Sequence, residues 1–130
     1  MTTPINFRRV VVAAALDAAS VLVFVTVGRR NHNEGMTIDG VMTVAAPFLI
    51  ALVIGWLVSR AWRQPMNSRT GAIIWASTIV FGLLLRNLVF DRGTATSFVI
   101  VATLFLGAVL LGWRTIFRTI RRSATRPLNH

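Results

Sequence analysis

The chain has 130 residues, 55% of them hydrophobic and only 14% charged, with a formal net charge of +10. That length holds one domain, and that composition is too apolar for an ordinary soluble surface, so it points to a membrane protein. The charge does not imply nucleic acid, because all 14 basic residues are arginines gathered at the ends of apolar runs, where membrane topology puts them; with no cysteine, disulfides, thiolate metal sites and thiol nucleophiles are excluded.

Four apolar runs follow in chain order. The first is Val10 to Val27, between Arg8-Arg9 and Arg29-Arg30. The second is Val41 to Val58, closed by Arg60. The third runs from Gly71 to about Phe90 and the fourth from Thr96 to about Trp113, followed by Arg114. At roughly 18–20 residues each they can cross a ~30 Å hydrocarbon core as helices. A lone segment in lipid must satisfy its own backbone hydrogen bonds, and the ten-residue alternation of a membrane barrel is missing. The first run resembles a secretory signal, but it stays apolar past Ala18-Ala19-Ser20. It is read as a retained span.

The spans come in two copies. Shifted by 57 residues without a gap, positions 19–56 match positions 76–113 at 13 of 38 places. Ala19-Ser20 meets Ala76-Ser77, Val23-Phe24 meets Val80-Phe81, Arg29 meets Arg86, and Phe48-Leu49 meets Phe105-Leu106. Gly55-Trp56 meets Gly112-Trp113. Each copy holds two spans, so the expected fold class is an all-α membrane protein, four transmembrane helices made by tandem duplication of a two-helix hairpin. It forms one domain over 1–130, with repeat 1 at about 10–63, repeat 2 at about 67–120, and a basic tail at 114–130. An even number of spans per copy makes the repeats parallel, about an axis along the membrane normal. Ten arginines fall on the side of the termini and the central loop, against four on the other. Both termini are therefore expected in the cytoplasm of a plasma-membrane protein. Arg29-Arg30 runs locally against that rule.

Asp17 is the sharpest polar signal. A carboxylate near the middle of a span costs ~2.5–3.5 kcal/mol on insertion scales. Its mate at the 57-residue offset is Ile74, so it breaks the internal symmetry. Two readings stand: a carrier of protons, ions or a partner's charge, or a protonated acid bonded to Ser20, Ser77 or a carbonyl as packing glue. Pro47, whose offset mate is Leu104, could kink the second span and flank the same polar spot. Arg29 with Glu34 recurs as Arg86 with Asp91, which suggests ordinary interface anchoring or paired charges at an outer mouth. His32 and Glu34 are two ligand types in one loop, which do not make a metal site beside arginines.

Ala51-x-x-x-Gly55 and Ala108-x-x-x-Gly112 are small-residue pairs at matched positions, expected to let helices approach closely. Trp56, Trp62 and Trp113 read as an aromatic belt at the cytoplasmic interface. Beyond Trp113, Ile116, Phe117 and Ile120 share one helical face, with Arg114, Arg118, Arg121 and Arg122 mainly around the other. This is the pattern of a helical extension on anionic lipid headgroups, or of a protein-binding tail.

Several stretches resemble a family of small four-span membrane proteins, found mainly in actinobacteria and haloarchaea and catalogued as domain of unknown function 3054. They are Leu16-Asp17-Ala18-Ala19, Gly28-Arg29-Arg30-Asn31-His32, Pro47-Phe48, Gly55 through Trp62, Leu84-Leu85-Arg86 and Gly112-Trp113-Arg114. The resemblance covers nearly the whole chain. It implies a membrane location and a compact bundle, and no activity. No nucleophile–base pair, phosphate loop or metal cluster is legible, so neither catalysis nor a cofactor is expected. The first expectation is an accessory or interaction subunit of a larger plasma-membrane complex, respiratory or envelope-related. Its partners would be membrane lipids and other subunits or itself. The alternative is a small oligomeric transporter or channel using Asp17.

Overall fold

The computed structural model describes residues 5–31, 37–88 and 96–125, with side chains for 5–28, 37–88 and 99–121. Four helices carry them: α1 (Phe7–Asn31), α2 (Ile38–Ser59), α3 (Ser68–Leu88) and α4 (Thr96–Thr125). Each contains a stretch long and apolar enough to cross a membrane, and the described residues include no strand. Val53, Val58 and Leu104 are 59%, 63% and 67% exposed. Exposed aliphatics on every helix would be an aggregation hazard in water and are ordinary against lipid tails.

Local chemistry sets the ends. Asn6 Oδ1 accepts from the Arg9 amide and Thr37 Oγ1 from the Gly40 amide, capping α1 and α2. At the other end of α2, Arg60 turns into the left-handed region at φ 52°. The Arg60 amide then reaches Leu57 and the Ala61 amide reaches Trp56, which satisfies the last carbonyls. Asn67 Oδ1 accepts from the Arg69 amide and starts α3 eight residues after α2 stops. Pro47 lies buried inside α2 without interrupting it. The tail is continuous with the fourth span, as α4 runs unbroken to Thr125.

The helices form a square. Among the described residues each packs on its chain neighbour, α1 also packs on α4, and the diagonals do not meet. Arg9 of α1 lies 6.0 Å from the Phe117 ring of α4, so the start of α1 and the end of α4 share one end of the bundle. Phe24 fills the middle, edge-on to Phe48 at 5.9 Å and tilted against Phe105 at 5.6 Å. Ala45 and Ala102, an offset-matched pair, are both fully buried beside them.

The matched small-residue pairs behave differently. A Cβ on Gly55 would lie 3.1 Å from Ser77 Cβ and 3.2 Å from Ile74 Cα, so this glycine seats α2 on α3. Gly112 has nothing within 4 Å of a Cβ position, and Ala108 is exposed. The expectation that Ala108 and Gly112 pack helices within the chain is therefore corrected. α4 turns a neighbouring stripe inward, Ala102, Leu106, Leu110 and Arg114, at four-residue intervals. Gly55→Ala is expected to cost about 1–3 kcal/mol by overpacking against backbone. Gly112→Ala should be neutral or slightly stabilising, since alanine is the better helix former. Thermal unfolding of the two variants in detergent checks the contrast.

Candidate functional site: a carboxylate clasp between the helices

Asp17 projects from α1 on the inward stripe that also carries Ala13, Ser20, Val21 and Phe24. It is 0% exposed, and so is the side chain facing it, Arg114 of α4. Arg114 Nη1 donates to Asp17 Oδ1 at 2.8 Å and Nη2 donates to Oδ2 at 2.7 Å. This is the two-pronged geometry in which a guanidinium binds a carboxylate most strongly.

Two indoles complete the acid's surroundings. Trp113 Nε1 donates to Oδ1 at 3.0 Å and Trp56 Nε1 to Oδ2 at 2.9 Å. Each oxygen thus accepts one indole and one guanidinium bond, filling the ~four lone-pair positions of a carboxylate. The indoles come from the last turn of α2 and from α4, at positions matched by the 57-residue offset. Arg114 in turn uses four of its five N–H groups. Its Nε donates to the Pro65 carbonyl at 2.8 Å, Nη1 also donates to Leu110 O at 3.0 Å, and its Cζ lies 4.3 Å from the Trp113 ring. Those bonds hold α1, the end of α2, the α2–α3 loop and α4 together at one point.

Space for the arginine comes from α3. A Cβ at Gly71 would lie 2.7 Å from Arg114 Cδ and 3.1 Å from Leu111 Cδ2. The loop is shaped to meet it, because the left-handed Arg60 reverses the chain after Trp56 and Pro65 is buried under α4.

Several sequence expectations change here. Asp17 stands midway along the first span, Phe7–Gly28, yet is not level with the middle of α2. Its contacts are Trp56, three residues before α2 ends, and an arginine bonded to the loop, so it sits toward the end carrying the α2–α3 turn. Pro47 is nine residues from Trp56, about 13 Å along the helix, too far to flank the same spot. Ser20 does not join, since its hydroxyl donates to Leu16 O at 2.7 Å. Ser77 is buried against Gly55 rather than among the carboxylate's donors. Arg114 leaves the lipid-facing tail altogether, while Arg118 and Arg121 remain exposed. Trp56 and Trp113 aim their N–H groups inward, where a buried anion satisfies them better than a headgroup interface. Arg86 lies half-buried in the last turn of α3. Glu34, Asp91, His32 and the side chains of Arg29 and Arg122 lie outside the described residues.

The missed residue left a trace in the sequence. Asp17 is matched by Ile74, and Arg114 is matched by Leu57. One acid and one base each stand opposite an apolar mate, and these two are partners. Where the offset would put the equivalent pair, Ile74 is buried, Leu57 is 61% exposed, and Gly55 draws α2 onto α3.

Two hollows lie near the clasp. A groove of about 420 Å³ between α1 and α2 is lined by Ala14, Ala18, Leu49, Leu52 and Trp56 among others, nearly all apolar. A cleft of about 360 Å³ lies beyond Pro65, among Arg9, Arg63, Arg118 and Arg121. No cluster of three or more metal-ligating side chains occurs among the described residues.

Neither a curated protein nor a solved structure matches the chain. The profile of one family covers residues 14–117 and so takes in Asp17, Trp56, Trp113 and Arg114. This four-helix membrane protein belongs to the family described as "Protein of unknown function (DUF3054)".

Proposed function

We propose that the chain is a small accessory or interaction subunit of a larger complex in the plasma membrane, with both termini in the cytoplasm, and that it arose by duplication of a two-helix hairpin. The observation that carries the reading is the saturation of Asp17. A carrier carboxylate must release one partner to take up an ion or proton. This one, itself fully buried, accepts two guanidinium and two indole bonds. Such an acid locks helices in register, the best-attested use of a buried polar pair. The hollow on its α2 side is apolar.

The duplication reading rests on the offset identities and on the exchange of apolar mates for a charged pair. One copy supplies the acid and the other the base, which makes each copy dependent on the other. Respiratory and envelope-building assemblies are the host classes favoured. Catalysis is not part of the reading.

The test is gentle solubilisation of the native membrane and mass spectrometry of what copurifies. A stoichiometric larger assembly is expected. A homo-oligomer alone, together with ion flux in proteoliposomes that Asp17→Asn abolishes while the protein stays assembled, would replace this reading with the transporter.

A further inference from the structure

The two halves of the chain differ most at the groove between α1 and α2. It holds about 420 Å³, within the ~300–1,000 Å³ range of small-molecule sites. Ala14 and Ala18 of α1 form one wall and Val53, Trp56 and Leu57 of α2 the other, with Trp62 at the loop end. Leu52, 6% exposed, makes the floor, while Val53 and Leu57 stand exposed at the rim.

At an offset of 57 residues, Ala14, Ala18 and Leu57 meet Gly71, Trp75 and Arg114. Larger side chains fill the second half at those places. The Trp75 indole lies on Gly107, where a Cβ would come within 3.0 Å of its ring, and it donates to the Thr103 carbonyl at 2.9 Å. Arg114 enters over Gly71 and lays its guanidinium against the Trp113 ring. In the first half an alanine stands for the indole, and the leucine that stands for the arginine stays at the surface. Trp56, the mate of Trp113, is left bordering a hollow.

A hollow of this kind between membrane helices must be filled, because empty walls forfeit their dispersion contacts. The lining selects what enters. It is aliphatic carbon and indole ring, and the Trp56 N–H is turned away to Asp17 at 2.9 Å. A headgroup, a quinone carbonyl or a charged ligand would lose hydrogen bonds there without replacement. A run of methylenes has none to lose. The exposed rim of Val53 and Leu57 opens the groove sideways, toward the lipid that surrounds a spanning helix.

We propose that the groove seats one acyl chain of a membrane phospholipid, which packs α1 against α2 as Trp75 and Arg114 pack α3 against α4. The chain lies on Leu52 and against the indoles of Trp56 and Trp62. The seat is indifferent to the headgroup, which stays outside it. Trp56 borders the groove and also bonds Asp17, so the seated chain buttresses the clasp.

The full chain is purified in a neutral detergent, stripped of lipid by extended washing, and titrated with phosphatidylcholine or phosphatidylglycerol of the same acyl chains. Native mass spectrometry counts the bound lipid, and thermal unfolding reports its effect. One phospholipid per chain is expected to be retained, whichever headgroup it carries, and to raise the midpoint. Ala18→Trp copies the residue found 57 positions away. It should lose the bound lipid, and its midpoint should no longer respond to either phospholipid. Ala14→Leu, at an exposed position on the groove wall, fills the seat without an indole and should lose the lipid too. It carries the test if Ala18→Trp does not fold. Ala76→Trp puts the same indole at an exposed site of α3 outside the groove and should retain the lipid. Retention that neither filling change reduces, retention of phosphatidylglycerol alone, or no retained lipid would overturn the proposal. So would a lipid-free dimer that Ala18→Trp and Ala14→Leu dissociate, which would assign the groove to a second copy.

Discussion

Asp17→Asn should destabilise the bundle by about 3–5 kcal/mol, the penalty for removing one partner of a buried ion pair. The cause is what remains. Arg114 is fully buried, so without the carboxylate its guanidinium is left uncompensated among apolar helices. The reverse change should be milder. Arg114→Leu leaves a carboxyl group that Trp56 and Trp113 still bond. Asp17→Ile with Arg114→Leu copies the residues found 57 positions away, Ile74 and Leu57. It should recover most of the loss from Asp17→Asn, because a buried pair replaced by apolar side chains is often neutral. Thermal or denaturant unfolding in detergent gives these values, with Asp17→Ile alone measured beside them. Near-additivity, with the double variant as damaged as the sum of Asp17→Ile and Arg114→Leu, would show that the two side chains do not act as one unit.

Gly71→Ala is expected to cost about 1–3 kcal/mol through overpacking. One methyl there would stand 2.7 Å from Arg114 Cδ. A free arginine would swing away. This one is bonded through Nε to the loop and through Nη1 and Nη2 to Asp17. Either α3 shifts outward or a clasp bond lengthens. Ala14, the offset mate of Gly71, already carries that methyl and lines the apolar groove, so glycine is needed only where the arginine enters. The indole fluorescence of Trp113, whose ring carries the Arg114 cation, should shift in Gly71→Ala and stay fixed in Gly112→Ala. No change in either stability or emission would mean that α3 does not constrain the clasp.

The number, type and order of the helices were legible in the sequence, because lipid allows a lone apolar segment of that length little choice but helix. The ends were less so. Hydropathy placed the start of α2 at Val41, whereas Thr37 caps it earlier and α2 begins at Ile38. In the same way Asn67 starts α3 at Ser68, ahead of the apolar residues. A cap is a single polar side chain, and a window of average hydrophobicity passes over it.

The candidate site was half legible. Asp17 stood out because its cost in lipid depends on residue type alone. Arg114 did not, because a basic residue at the end of a span reads as an interface anchor unless its direction is known. Direction is a matter of phase: one step around α4 separates the inward Arg114 from the exposed Thr115 and Ile116. The same rotation sends Gly112 toward lipid while Gly55, its match in sequence, seats α2 on α3.

The sequence by itself determined what depends on composition and length: a membrane protein, four helices, an internal offset of 57 residues, and one acid out of place within a span. The tertiary structure alone decided which residue answers that acid, since Asp17 and Arg114 are 97 positions apart. Only the rotation of each helix about its axis brings them together, and that rotation is the joint outcome of all four interfaces. It is set by close contacts such as Gly55 on Ile74 and Gly71 beneath Arg114.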